Sequence, residues 1–414
     1  MMKGCLRPLW AFLSLLAVAT ISAQPVTSEE KADVLAKMGD LIGTSAFVVG
    51  ADLKRWPELL QKYRSSIDET TTQAEFVGQV NRALQEFGFS HIVLSTPALA
   101  KARTEKKMVG LGIRIQIEDS GIRVINVFPD APAKEAGIRE GDLIIEANGK
   151  KPTSPADFAG EEGTTIKVKV LRDDQPLEFT VTRRTYNTVI PESLSWVNPA
   201  TAHLVIPSFD NGYDSKNVEK LIVAAGKAKN LILDLRSNGG GAVTNLLHLA
   251  GLLLPPEGDL GTFVTRSTVE RYVAETKGDP KDLAAIATWS QSKLRPFRPK
   301  VDRFQGKIVV LINGGTGSAA EMLAAALHDT LKAPLIGSKS AGAVLASVMA
   351  KLPHGYQLQY PIFDYVTGKG FRIEGKGLTP DIEAPFAKYG EPDKAISASL
   401  EWFKSATTTG SGSG

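Results

Sequence analysis

KIVVLINGGTGSAAEMLAAALHD, residues 307–329, is the stretch that decides the fold. Lys307 to Ile312 is a β-branched apolar run of the kind that forms a buried strand. From Ala319 onward the segment is rich in strong helix formers, with apolar residues at three- and four-residue spacing. NGGTG (313–317) makes the turn between them, and Ser318 stands at the hinge. A hydroxyl there lies beside the unpaired N–H groups of a helix N-terminus. Such donors can hold a developing oxyanion, which is the setting an acyl-transfer nucleophile requires. The same residues, Ser318 to Glu321, also spell a capping box, in which the serine satisfies the helix end. Taken alone, the segment leaves both readings open.

Working outward, the unit recurs. NLILDLRSNGGGAV (230–243) again runs strand, glycine turn, helix. It lacks the Gly-Lys-Ser/Thr of a phosphate-binding P-loop and the spacing of a dinucleotide fingerprint. Two such units in one sheet predict two faces of one site, one supplying the nucleophile and the other an oxyanion N–H. The runs AHLVI (202–206), NLILDL (230–235), KIVVLI (307–312) and APLIG (333–337) alternate with helical segments. That order predicts an α/β domain over 186–405 with a mainly parallel sheet.

Residues 108–185 change to short alternating strands. GLGI (110–113), IRVINVF (122–128), APAKEAGIREGDLIIEANG (131–149) and TTIKVKVLR (164–172) follow one another. This run resembles a PDZ domain over most of its length. The resemblance implies that backbone N–H groups at Gly110, Leu111, Gly112 and Ile113 capture a peptide carboxylate, with a strand edge accepting the extended chain. A packing or gating module that binds nothing is the other reading. The stretch between Thr153 and Gly163 is short for the usual PDZ helix. Before it, residues 24–107 are expected to be helical, with Thr72 and Glu75 as a helix start signal. Ser90-His91 follows Gly88 in a short loop.

Residues 1–23 are read as a secretory signal, with Lys3 and Arg7 ahead of an apolar stretch and Ile21-Ser22-Ala23 as the cleavage site. Its removal would take away Cys5, the only cysteine, and with it any thiol or disulfide chemistry. The expected location is periplasmic or secreted. The chain has 48 basic and 45 acidic residues, and losing Lys3 and Arg7 leaves 46 against 45, near neutrality. No basic stripe with interleaved aromatics occurs, which argues against nucleic acid as a partner. No later stretch is long and apolar enough to span a membrane. Residues 406–414 read as a low-complexity, disordered tail.

Together, DLRSNGGG (234–241), NGGTGSAAE (313–321) and EGKGLTPDI (374–382) resemble the C-terminal processing, or tail-specific, serine proteases and their tricorn-like relatives. The resemblance covers nearly the whole mature chain. It implies a multidomain α+β architecture: a helical N-terminal region, a PDZ-like domain and a crotonase-like or ClpP-like protease core. Ser318 takes the nucleophile position, and the N–H groups of Ala319 and Gly240 take the oxyanion hole. Processing proteases with a Ser-Lys dyad carry their lysine 25 residues after the serine, where this chain has Ala343 within SAGAV (340–344). Lys339 is near but does not align. Either residue 343 carries an inactivating replacement, or the chain belongs to the branch using histidine and glutamate, and the second is better supported. GAVLA (342–346), LPHG (352–355) and the Ser90-His91 pair resemble the tricorn-like branch. That implies His91 as base, oriented by Glu374, with Ser90 assisting, although Phe89 stands where the branch has an aspartate.

A loop histidine bonded to backbone is the other reading of His91. The remaining histidines, His203, His248, His328 and His354, read as packing or turn residues, and none has metal-ligand spacing. No cofactor or metal is expected. The function implied is an exported serine endopeptidase acting on polypeptides, with the PDZ domain recognising or gating substrate C-termini. The alternative is a degenerate protease scaffold that binds peptide tails. Either leaves room for a homo-oligomer.

Overall fold

The computed structural model describes residues 24–408 except 211, 386 and 388–390. The expected signal segment and residues 409–414 lie outside the described residues. Residues 406–408 do not join a disordered tail, because the final helix, Lys394–Thr408, runs through them.

The N-terminal helices start where side chains satisfy their free N–H groups. Thr27 and Glu30 form a capping box on Ser28–Thr44, and Thr72 and Glu75 form one on Gln73–Gln85. Their apolar faces bury Val34, Met38, Ile42, Phe76, Val80 and Leu84 in one core. That core also takes Leu352, Tyr356 and Leu358 from far down the chain. The strand Val93–Ser95 pairs antiparallel with Gln357–Val366. The helical region therefore shares a sheet and a core with residues 346–366, and the Ser90-His91 loop just before Val93–Ser95 is carried to the other end of the chain.

The middle region is a five-stranded antiparallel sheet. Its strands lie in the order Ile113–Glu118, Gly121–Val127, Leu143–Ala147, Thr165–Arg172 and Gln175–Thr182, around a core of Leu111, Ile122, Ile144, Phe158 and Val168. Ile113–Glu118 is an edge strand. The short stretch noted in the sequence is a single 3₁₀ turn, Pro155–Phe158.

The α/β sheet has six strands in the order Ile382–Glu383, Leu335–Gly337, Lys307–Ile312, Asn230–Asp234, Thr201–Val205 and Ser193–Asn198. All neighbours are parallel except the last pair. Alternate strand residues face opposite sides. Leu231, Leu233, Ile308 and Val310 enter the main core, whereas Ile232, Val309 and Leu311 meet Ala395 and Phe403 of the final helix. The two glycine turns leave the carboxyl ends of adjacent parallel strands, the end of an open α/β sheet at which sites are placed. Among the described residues, no helix is long and apolar enough to cross a membrane.

Candidate active site

Ser318 precedes the helix Ala319–Leu331 with φ 53° and ψ −123°, outside the extended region an N-cap residue normally takes. A non-glycine residue held at positive φ costs free energy, and such strain concentrates at functional sites. Ser318 and Glu321 face one another across the helix start in the arrangement of a capping box. Glu321 Oε2 accepts the Ser318 N–H, at 3.2 Å. Among the described residues the Ala319 N–H has no acceptor.

The two glycine turns are stitched together. Asn313 Oδ1 accepts Ser237 N–H at 2.8 Å, Thr316 Oγ1 donates to Leu235 O at 2.8 Å, and Gly317 N–H donates to Asn238 O at 2.9 Å. Gly240, at φ +96°, packs so closely that a Cβ there would lie 2.6 Å from Ser318 Cβ and 2.9 Å from Ala319 N. The turn therefore faces the serine, as expected. The expected donor does not hold, however: Gly240 N–H is spent on Asn238 Oδ1 at 2.9 Å. The side chain that shapes the turn occupies it, whereas the N–H groups of Gly239 and Gly241 have no acceptor among the described residues.

The structure brings Ser90, His91 and Glu374 together. Ser90 Oγ lies 2.6 Å from His91 Nδ1 and 2.9 Å from Glu374 Oε2. Glu374 also accepts the Ser90 N–H at 2.7 Å and the Val344 N–H at 2.9 Å. Burial raises the Glu374 pKa, while the Ser90 and Val344 amides pull it down. Burial pushes the His91 pKa down to about 4, which keeps the imidazole neutral near pH 7. His91 itself sits at φ 60°. With Glu374 ionised, every contact it makes is accepting. The single Ser90 hydroxyl proton then points to the carboxylate, Nδ1–H donates to Ser90 Oγ, and Nε2 keeps its lone pair. Among the described residues no hydrogen bond joins Ser318 Oγ to His91, so the two halves are tied through backbone: Ser318 N–H donates to Ala343 O at 2.7 Å.

Ala343 is buried and Lys339 is exposed. The other histidines bond elsewhere: His203 to Asp234, His248 to Tyr213 and Glu219, His328 to Asp381, His354 to Asp33. Among the described residues no group of three or more metal-ligating side chains occurs.

The PDZ-like sheet rests on both glycine turns. Arg114 Nη1 donates to Ser237 O at 2.6 Å, and Ser237 Oγ donates to Ile125 O at 3.2 Å. Gln116 Oε1 lies 3.0 Å from where a Cβ on Gly314 would stand. At the loop itself Leu111 and Ile113 are buried, and the N–H groups of Leu111 and Gly112 have no acceptor among the described residues. Sequence reasoning missed Ser237, Asn313 and the extent of Glu321. Asn313 directly precedes a glycine and Ser237 stands two residues before one, in turns where short polar side chains often bond nearby backbone, and that was the available signal.

A strained serine at a helix start, with free amides on two interlocked glycine turns and a relayed histidine, defines the class of serine-hydrolase scaffolds. Residues 200–384 match the model of peptidase family S41 and residues 109–182 that of the PDZ domain. The chain is 25% identical over 289 residues to a probable CtpA-like serine protease of Staphylococcus haemolyticus (strain JCSC1435), covering 68% of this chain and 53% of that relative. It thus spans about half the length of the curated relatives it matches. The fold is shared with the photosystem II D1 C-terminal processing protease, at TM-score 0.57, 19% identity and 91% and 97% coverage. Mature CPAF matches at TM-score 0.59 and 15% identity, over 93% and 99% of the two chains.

Proposed function

We propose that the protein is an exported serine endopeptidase of the Ser-His-Glu type. Ser318 Oγ attacks the peptide carbonyl and His91 Nε2 takes its proton. The Ala319 N–H and one amide of the 239–241 turn, Gly239 or Gly241, hold the oxyanion. Glu374 acts on His91 through Ser90, fixing the tautomer that leaves Nε2 basic. The observation that carries this reading is the Glu374–Ser90–His91 chain, assembled beside a serine whose backbone is strained. Protons move only after Ser318 and His91 close to hydrogen-bond reach, about 2.6–3.2 Å.

The PDZ domain recognises or gates substrate C-termini. Support comes from Arg114 and Ile125, which touch the turn expected to supply the oxyanion amide. The test uses a serine-directed fluorophosphonate and an unstructured polypeptide. The parent should label at Ser318 and cleave, and folded Ser318→Ala and His91→Ala should each lose cleavage. Full activity in either variant would overturn the assignment.

A further inference from the structure

Glu321 is fully buried and, among the described residues, pairs with no cation. A carboxylate in that state is costly unless donors surround it. Four do. Beyond the Ser318 N–H at 3.2 Å, it accepts Gly342 N–H at 2.7 Å, Ala343 N–H at 2.9 Å and the Ser340 hydroxyl. Only one of the four belongs to its own helix, so helix capping does not account for the arrangement. The other three come from one strip, 340–343, which spans the position where Ser-Lys proteases place a lysine.

That strip is gripped from its other side as well. Val344 N–H donates to Glu374, Gly375 N–H donates to Gly342 O at 2.8 Å, and Leu378 N–H donates to Ser340 Oγ at 2.6 Å. Ala343 O accepts the Ser318 N–H. Gly342 sits at φ +71°, and a Cβ there would lie 2.6 Å from Gly377 N. Five consecutive residues are thus held between two carboxylates, one on the serine's helix and one in the Ser90–His91 relay.

From this geometry we infer that Glu321 is a positioning residue that holds the nucleophile and the base in register through the 340–344 strip. The inference rests on the proposed Ser318–His91 pair. Glu321 touches no reacting atom. It fixes where the Ser318 backbone and the Glu374 relay stand relative to one another. Burial pushes its pKa up to about 7 against the pull of its four donors. The stability of the grip therefore depends on those donors all being in place.

The experiment compares Glu321→Gln, Glu321→Asp and Ser340→Ala in the full chain, reading kcat and KM separately and the rate of fluorophosphonate labelling. Glu321→Gln keeps the volume but turns an NH2 toward amide donors. Loss of register by about 1 Å lowers kcat by about 100-fold, with KM nearly unchanged because substrate contacts remain. Glu321→Asp keeps the charge one methylene short and recovers about a tenth or more of parental kcat. Ser340→Ala removes one charge-assisted bond and lowers kcat by about 10-fold. A folded Glu321→Gln with parental kcat and labelling rate overturns the inference, and so does Glu321→Asp no better than Glu321→Gln. If Glu321→Gln fails to fold, parental kcat in Ser340→Ala overturns it. A fully active Ser318→Ala has a separate signature: it overturns the serine reading itself.

Discussion

Replacing Gly240 by alanine tests the facing glycine turn, and the structure sets the size of the effect. The new Cβ would stand 2.6 Å from Ser318 Cβ, 2.9 Å from Ala319 N and 3.0 Å from Gly317 O. Carbon contacts are comfortable at about 3.5–4.0 Å, so the new Cβ overlaps three neighbouring groups by roughly 0.5–1 Å. The φ of +96° adds its own cost, about 1–2 kcal/mol for a residue with a Cβ. Strain and overlap together predict about 2–4 kcal/mol of destabilisation, a melting temperature roughly 5–10 °C lower. The cheapest relief is to push Ser318 away, and a nucleophile displaced by about 1 Å loses about 100-fold in rate. Fluorophosphonate labelling and polypeptide cleavage, measured alongside thermal melting, read both effects. Gly317→Ala provides the steric comparison, since its Cβ would meet nothing closer than Ala341 Cβ at 3.5 Å. It should change stability by about 0.5 kcal/mol or less. A Gly240→Ala protein with parental melting and labelling would refute the reasoning.

Three further outcomes are expected. Burial holds the His91 pKa at about 4, so the acidic limb of kcat/KM should fall near that pH. An NMR titration of His91 centred near its ordinary value of about 6.5 would contradict this. The sign for stability follows from the same depression. Between about pH 6.5 and 4 the unfolded imidazole takes a proton that the folded one refuses, so this contribution is lost as pH falls and levels off below 4. The parent should therefore lose more stability across that window than His91→Ala does. Ser90→Ala cuts the relay between Glu374 and Nδ1, leaving the tautomer unset. It should lower kcat by about 100- to 10,000-fold, and parental kcat would remove Ser90 from the mechanism.

Local signals in the chain carried much of this architecture. Strand, glycine turn and helix at 307–329 and 230–243 were legible because β-branched runs, glycines and helix formers act over a few residues. Thr72 with Glu75 marked a real helix start for the same reason. The PDZ strands and the missing PDZ helix near 155–158 were also visible. The sequence by itself determined these pieces and singled out Ser318, while His91 and Glu374 came from the family resemblance.

Tertiary structure decided what those residues are to one another. The Ser90-His91 loop lies beside Glu374 because Val93–Ser95 pairs with Gln357–Val366 and the two ends of the chain share one core, a long-range choice no local window contains. Gly240 lost its expected role because Asn238 Oδ1 folds back onto its N–H. Glu321, locally a capping residue, acquired three donors from 19–22 positions away. Positive φ at Ser318, His91 and Ser237 is likewise imposed by surroundings that outweigh each residue's own preference. Burial and backbone strain are properties of the packed chain, so the chemistry of this site was settled only where distant segments meet.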